Sequence, residues 1–156
     1  MPNVDGMGRV PESTVEHLLH WIACERDAAW AAKLAVLRTR DFQEIAHFGA
    51  CVREHERHAD ELAQLVRAID RYREIPAEPA FVTRDAFVVG DLAEGDGVLQ
   101  AVAGLERARI ARYELRARRY SVLDALLERH LQDARTRLSA LDKLRVAHRP
   151  HREAAA

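Results

Sequence analysis

Apolar residues recur at intervals of three and four along most of the chain, which is the pattern of amphipathic α-helices. The pattern predicts four long helices, over residues 13–38, 41–72, 97–120 and 121–147. The sequence "STVE" predicts a capping box at the start of the first helix, and Asp41 is a good N-cap for the second. The predicted core positions are Leu18, Ile22, Ala29, Ala32 and Val36 in the first helix, Ile45, Phe48, Val52, Ala59, Leu62, Val66 and Ile69 in the second, Val102, Ile110, Tyr113 and Ala117 in the third, and Leu123, Leu127, Ala134, Leu138, Leu141 and Leu144 in the fourth.

The segment between the second and third helices, "YREIPAEPAFVTRDAFVVGDLAEGDG", interrupts this pattern with two prolines and three glycines. It is long for a turn, and it predicts a connection that carries the chain from one end of the molecule to the other. Short turns near residues 40 and 120 join the remaining helices into hairpins. We therefore predict an all-α, antiparallel four-helix bundle over residues 13–147, with a long crossover between helices 2 and 3 and flexible termini at 1–12 and 148–156.

Three of the apolar stripes contain a carboxylate or a histidine. Glu25 lies about 15 residues before the first turn and His55 about 15 residues after it, so both lie about 22 Å from that turn. His58 lies on the edge of the same stripe, and Glu106 lies about 14 residues before the second turn. All four are therefore predicted to meet in the middle of the bundle. Because burying two carboxylates without partners costs several kcal/mol, a cation must face them.

Three segments carry a resemblance to a known family: "ACERDAAW" on the first helix, "EHERHADEL" on the second and "LERARIARYELRA" on the third. Over residues 14–145 the chain resembles the ferritin-like superfamily, which includes bacterioferritins, rubrerythrins and small bacterial ferritin-like domains. Members with a di-iron site use one glutamate from each of the first and third helices and Glu-x-x-His from the second and fourth. The resemblance implies that Glu25 and Glu106 match the single glutamates and that His58 matches the first motif histidine.

The chain departs from that pattern at three positions. His55 stands where the second-helix motif has a glutamate, and the fourth-helix pair falls at Ala134 and Arg137. Alanine has no donor atom and a guanidinium stays protonated, so neither can bind iron. An intact di-iron centre is therefore not expected. Arg137 is instead predicted to place its guanidinium against Glu25 or Glu106 as an ion-pair substitute for a metal.

Two functions from different classes follow. The first is a non-catalytic ferritin-like protein, a stress-associated or interaction module in which a buried ion-pair and histidine network has replaced the metal. The alternative is an oxidoreductase or iron-handling protein that binds a single iron or zinc ion through Glu25, His55, His58 and Glu106, with Tyr113 donating a hydrogen bond to a ligand. Whether the chain is an enzyme stays open at this point.

Two further features of the sequence involve histidines near this depth. A zinc site made by Cys51, His55 and His58 is a further possibility, because Cys51 lies one turn before His55 on the same side of the second helix. His130 also faces inward, but it lies two turns from the predicted depth of the site. The sequence therefore assigns His130 to packing or to an interface.

Length, charge and composition limit the number of domains, the partners and the location that the sequence predicts. The chain has 156 residues and a net charge of −1, which predicts one domain and argues against nucleic acid as its main partner. Two cysteines, no signal-peptide pattern and no apolar run of about 20 residues predict a soluble cytoplasmic protein without a membrane partner. A homodimer formed through an exposed helix face is the predicted assembly. Nucleophile elbows, phosphate-binding glycine loops and CxxC pairs are absent from the sequence, which gives hydrolase and nucleotide-binding functions no support.

Overall fold

The structure is a computed structural model that describes residues 12–92, 97–116 and 124–148. These residues form an all-helical chain without a β-strand, as the apolar pattern predicted. Five α-helices lie in this part of the chain: α1 is Glu12–Arg38, α2 is Phe42–Ile69, α3 is Asp85–Phe87, α4 is Gly97–Arg116 and α5 is Asp124–His148. A π-helical turn at Val88–Leu92 continues α3. The predicted flexible termini, apart from Glu12 and His148, and the predicted turn near residue 120 lie outside the described residues.

The start of α2 confirms the predicted N-cap. Asp41 has an extended backbone, and its carboxylate accepts hydrogen bonds from the amides of Gln43 at 2.8 Å and Glu44 at 3.0 Å. Such a cap stabilises a helix by about 1 kcal/mol. α1 is described from Glu12, and the side chain of Ser13, on which the predicted capping box depends, lies outside the described part of the chain.

Ion pairs between neighbouring helices show how they run relative to one another. Between α1 and α2, Arg26 pairs with Asp60 at 3.3 Å and Lys33 with Glu56 at 2.8 Å. As residue numbers rise along α1 they fall along α2, so the two helices are antiparallel. By the same reasoning α4 and α5 are antiparallel, because Arg107 pairs with Asp142 and Glu114 pairs with Arg135.

Two apolar clusters flank a polar layer. The first comprises Val15, Leu18, Ile22, Ala59, Leu62, Ala63, Val66, Tyr113, Leu127 and Leu131, and the second comprises Ala31, Ala35, Phe48, Val89, Val98, Leu99, Val102, Ala103 and Leu141. Each cluster contains residues from α1, α2, α4 and α5. Burying this apolar surface is the main favourable contribution to folding. Most of the predicted core positions in the described residues belong to these clusters or pack against them. None of the described helices combines the length and apolarity needed to cross a membrane.

The predicted crossover has more structure than its proline and glycine content indicated. Asp27, a fully buried residue of α1, accepts hydrogen bonds from the amides of Ala80 at 3.0 Å, Phe81 at 2.8 Å and Thr83 at 2.9 Å. These three bonds hold the connection against α1. The following α3 and the π-helical turn also pack on α1, which brings Asp85 into the interior.

Candidate metal centre

The polar layer contains all four residues that the sequence placed at a common depth. Glu25, His55 and Glu106 are each 2% exposed, and His58 is fully buried. α1 contributes Glu25, α2 contributes both histidines, and α4 contributes Glu106. His58, predicted on the edge of its stripe, is therefore as deeply buried as the centre of the stripe. Ala134 of α5 also lies in the core, where it has no polar group to offer.

Glu25 contacts two imidazoles and a phenolic hydroxyl. Nδ1 of His55 lies 2.7 Å from its Oε2, and Nδ1 of His58 lies 3.6 Å from the same oxygen. The hydroxyl of Tyr113 donates to the other oxygen, Oε1, at 2.7 Å. The hydrogen bond that the metal-binding alternative predicted from Tyr113 to a ligand is therefore made to Glu25.

The far nitrogens of the two histidines each face a further carboxylate. Nε2 of His58 lies 2.8 Å from Oδ2 of Asp133, a partly exposed residue of α5 that also accepts a hydrogen bond from Arg57 at 2.7 Å. Nε2 of His55 lies 3.4 Å from Oε1 of Glu106. Histidines that bind metals usually donate the second ring N–H to a carboxylate or carbonyl in this way. Asp133 was not predicted from the sequence.

Glu106 is neutralised by two guanidinium groups. Arg109 donates from Nη1 to Oε1 at 2.6 Å, and Arg137 donates from Nε to Oε2 at 3.3 Å. Arg109 also donates from Nη2 to Asp85 at 2.8 Å, and Arg137 pairs with Glu54. Arg137 thus lies where the sequence placed it, against Glu106 and not against Glu25. Arg109, only 4% exposed, was missed because "RARIARYELRARRY" reads as a solvated basic face.

The charges around the two glutamates shift their pKa values downwards. Burial alone would raise the pKa of Glu25, but the contacts with His55 and His58 lower it well below its ordinary range. Burial is likewise outweighed at Glu106, where Arg109, then His55 and Arg137, hold the pKa far below that of a free carboxyl. Burial lowers the pKa of His58, whereas its proximity to Glu25 and Asp133 raises it, and the net shift is upwards. Both carboxyls are therefore ionised at neutral pH.

His130 lies closer to the site than the sequence predicted. Its ring stacks on that of His58, with 3.8 Å between centroids, and its Nε2 lies 2.7 Å from Oε2 of Glu61. The prediction of a two-turn separation is therefore wrong. Ala134 marks the predicted depth of the site on α5, and only about one helical turn separates His130 from it. The imidazole side chain is long enough to cover that distance.

Cys51 is not part of this cluster. Its Sγ lies 3.4 Å from Nε2 of His47, four residues earlier on α2. Burial raises the pKa of the Cys51 thiol to about 12, so the thiolate form that binds zinc is disfavoured. Within the described residues, one group of three or more potential ligand atoms lies together: those of Glu25, His55 and His58, all within 4.8 Å of one another.

This donor set fits one metal ion and does not fit two. One carboxylate and two imidazoles are typical ligands of zinc and of single iron(II) ions. Glu106 is a poor fourth ligand, because both of its oxygens already accept hydrogen bonds from guanidinium groups. A second ion bound as in the ferritin-like di-iron motif would need donors at Ala134 and Arg137, which supply none.

Comparisons with known proteins found no match to a protein-family model, to a curated protein or to a solved structure. The resemblance to the ferritin-like superfamily therefore stays a prediction from the sequence.

Proposed function

We propose that this chain is a ferritin-like four-helix bundle protein that binds one divalent metal ion, iron or zinc, through Glu25, His55 and His58. The observation that carries the proposal is the convergence of Nδ1 of both histidines on Oε2 of Glu25. While no metal is bound, the 2.7 Å contact lets Nδ1–H of His55 donate to Oε2, which accounts for the lowered pKa of Glu25. When the imidazoles instead donate Nε2–H to Asp133 and Glu106 and carry no proton on Nδ1, each Nδ1 presents a lone pair towards a negatively charged oxygen. A cation held by these three groups removes that repulsion.

The proposed architecture rests on the two apolar clusters and the ion pairs. Both clusters draw residues from α1, α2, α4 and α5. α1 is antiparallel to α2, and α4 is antiparallel to α5. The long connection between α2 and α4 then gives the up-down-down-up order of a ferritin-like bundle, which supports the predicted resemblance.

Charge balance supports one ion at one end of the polar layer. Two guanidinium groups neutralise Glu106, whereas no arginine among the described residues forms an ion pair with Glu25. The imidazoles that contact Glu25 balance its charge only while they are protonated, and a buried carboxylate without a cation is costly. A bound divalent ion supplies the missing positive charge at Glu25.

The surrounding residues have distinct roles in this proposal. Tyr113 orients Glu25 by donating to Oε1. Asp133 orients the ring of His58, and Arg57 in turn holds Asp133 in place. Three protein ligands leave coordination positions for water or a small molecule, as catalytic sites do and closed structural sites do not. A bound iron ion would supply redox chemistry and a zinc ion Lewis acidity.

A metal-free interaction module is the second candidate, and a specific observation favours it. Arg137 lies within hydrogen-bond distance of Glu106, as expected if ion pairs have replaced a metal. The raised pKa of His58, which its contacts with Glu25 and Asp133 produce against the effect of burial, favours an imidazolium that neutralises Glu25. In that case the polar layer would be a fixed structural network.

Counting metal per chain distinguishes the two candidates. The protein would be expressed in medium supplemented with iron and zinc, purified without a metal-affinity tag and analysed by elemental mass spectrometry. We expect about one ion per chain, and about none in the His55→Asn variant. His47→Asn is the matched control, since His47 lies on the same helix and contacts Cys51 instead of the site. No metal in the wild type would support the metal-free module, and two irons per chain would contradict both candidates.

The predicted homodimer is a separate part of the proposal. Several large apolar side chains are exposed in the described residues, among them Leu37, Phe42, Tyr72 and Leu115. Light scattering coupled to gel filtration would measure the mass of the assembly, and a mass of about 18 kDa would contradict the dimer.

A further inference from the structure

The same five-residue pattern, arginine-histidine-x-x-acid, occurs once on α2 and once on α5. It reads "RHADE" at residues 57–61 and "RHLQD" at residues 129–133. In each copy the histidine and the acid are three residues apart, so they share one face of their helix. The repeat therefore belongs to two helices of the polar layer, although α5 provides none of the proposed metal ligands.

The two copies pair crosswise in the structure. Nε2 of His58 lies 2.8 Å from Oδ2 of Asp133 on α5, and Nε2 of His130 lies 2.7 Å from Oε2 of Glu61 on α2. The arginine that precedes each histidine contacts the same acid as that histidine, at 2.7 Å on Asp133 and at 3.7 Å on Glu61. An ionised carboxylate can only accept hydrogen bonds, so each Nε2 carries a proton, and in a neutral ring Nδ1 is left with a lone pair.

Between these two pairs the imidazole rings of His58 and His130 lie face to face. Their centroids are 3.8 Å apart and their planes differ by 16°. His58 is fully buried and His130 is 1% exposed, and Nδ1 of each has no hydrogen-bond partner among the described residues. No hydrogen bond on the inner side therefore fixes the plane of either ring. Asp133 holds His58 at one end, and the ring of His130 covers its face.

We propose that His130 is a positioning residue of the metal centre, which keeps the ring of His58 in the plane where Nδ1 faces Glu25. This inference rests on the proposed function, in which Nδ1 of His58 binds the ion. A hydrogen bond to Asp133 alone holds the ring loosely, because hydrogen bonds tolerate a broad range of angles. A ligand has to be held within about 10–20° of its binding geometry by the packing of its neighbours. The stacked ring of His130 supplies that packing before the ion arrives.

The affinity for cobalt(II) tests this role. Its dissociation constant would be measured on the purified full-length chain by competition with a chromophoric chelator. His130→Ala should weaken cobalt binding by about 10–100-fold, the usual effect of removing a residue that supports a metal ligand. His130→Phe cannot donate a hydrogen bond to Glu61, but its ring can still lie flat on His58. The phenylalanine variant should therefore bind cobalt nearly as tightly as the wild type.

Leu141→Ala is the matched control for a truncation in the core of α5. Leu141 is fully buried in the second apolar cluster, about 16 Å along the helix from His130, so it is too distant to touch the ring of His58. This variant should lower the free energy of unfolding and keep the wild-type affinity for cobalt. His130→Leu fills the space without a flat ring, and it replaces His130→Ala in the comparison if the alanine variant does not fold.

The outcomes separate this inference from the proposed function. A wild-type affinity in His130→Ala would overturn the positioning role alone. Equal losses in His130→Ala and His130→Phe would also overturn it, because the flat ring would then not be what matters. A loss in Leu141→Ala as large as that in His130→Ala would do the same, since loosening the core would explain both. A wild-type chain that binds no cobalt would overturn the proposed function and this inference together.

Discussion

The two buried glutamates of the polar layer are neutralised in different ways. Glu106 accepts hydrogen bonds from two guanidinium groups, whereas Glu25 faces two imidazoles and a phenol. A guanidinium keeps its charge at any physiological pH, but an imidazole can exchange a proton for a metal ion. One end of the layer is therefore permanently paired, whereas in the proposed function the imidazoles at the other end exchange a proton for a metal ion.

Single positions on the helices determine which positively charged groups reach each of the two glutamates. Three residues after Glu106 on α4, Arg109 turns back to pair with it. Three residues after Glu25 on α1 stands Ala28, which is buried and too small to reach a carboxylate. The facing helices differ as well, since α5 presents Arg137 to Glu106 and α2 presents His55 and His58 to Glu25. A few side chains thus decide which glutamate is left for a metal.

The largest expected effect is that of removing the buried guanidinium of Arg109. In Arg109→Met the volume is roughly kept, but Glu106 and Asp85 both lose a partner in the interior. Breaking a buried ion pair from one side costs about 3–5 kcal/mol. Urea unfolding would measure the loss in the free energy of unfolding.

Arg107→Met provides the comparison for that experiment. Arg107 is half exposed and pairs with Asp142 at the surface. Such pairs contribute about 0–1 kcal/mol. If both variants lost the same small amount, Arg109 would not be the fixed positive charge of the layer.

The second prediction tests which glutamate holds the metal. Zinc at about 100 times its dissociation constant should stabilise the wild-type chain by about 2.7 kcal/mol. Glu25→Gln should abolish that stabilisation, because a ligand is lost. Glu106→Gln should retain most of it, because Glu106 is paired with arginines and is not one of the proposed ligands. Thermal unfolding with and without zinc measures both variants, and equal losses in the two would remove the distinction between the glutamates.

The sequence predicted much of this arrangement because depth along a helix can be counted. Counting from the turn near residue 40 brought Glu25 and His55 to the same level, where their side chains lie 2.7 Å apart. The N-cap at Asp41 and the core position of Phe48 follow from equally local rules. Such rules work where a residue's surroundings are set by its own helix and its immediate neighbour.

Other parts of the site depend on contacts that the periodicity does not encode. Asp85 lies in the connection, where no repeat indicates which residues turn inwards. Asp27 lies next to the apolar stripe of α1, and it is buried because the connection covers it. Arg109 could have been found, since it is three residues after Glu106 and four before Tyr113 and so shares their helix face. Its charge made that face look exposed.

The smallest expected effect is a change in how stability depends on acidity. Because Arg109 and its neighbours outweigh the effect of burial, the pKa of Glu106 is lower in the folded chain than in the unfolded one, where it is near 4.5. Below about pH 4.5 the unfolded chain therefore binds a proton that the folded chain excludes, and stability falls as the pH falls. The slope for one such carboxyl is about 1.4 kcal/mol per pH unit.

The Glu106→Gln variant lacks this carboxyl, so its stability should fall less steeply between pH 4.5 and 3.5, by about 1 kcal/mol per unit, because the unfolded carboxyl is only partly protonated in that window. Urea unfolding at several pH values in that window gives both slopes. Glu128→Gln is a suitable control, because Glu128 is 63% exposed and the ion pair that it forms among the described residues, with Arg135, is as long as 4.0 Å. The control should keep the wild-type slope. A Glu106→Gln slope equal to that of the wild type would mean that the arginines do not hold Glu106 ionised, and the contrast between a fixed and an exchangeable end of the layer would fail.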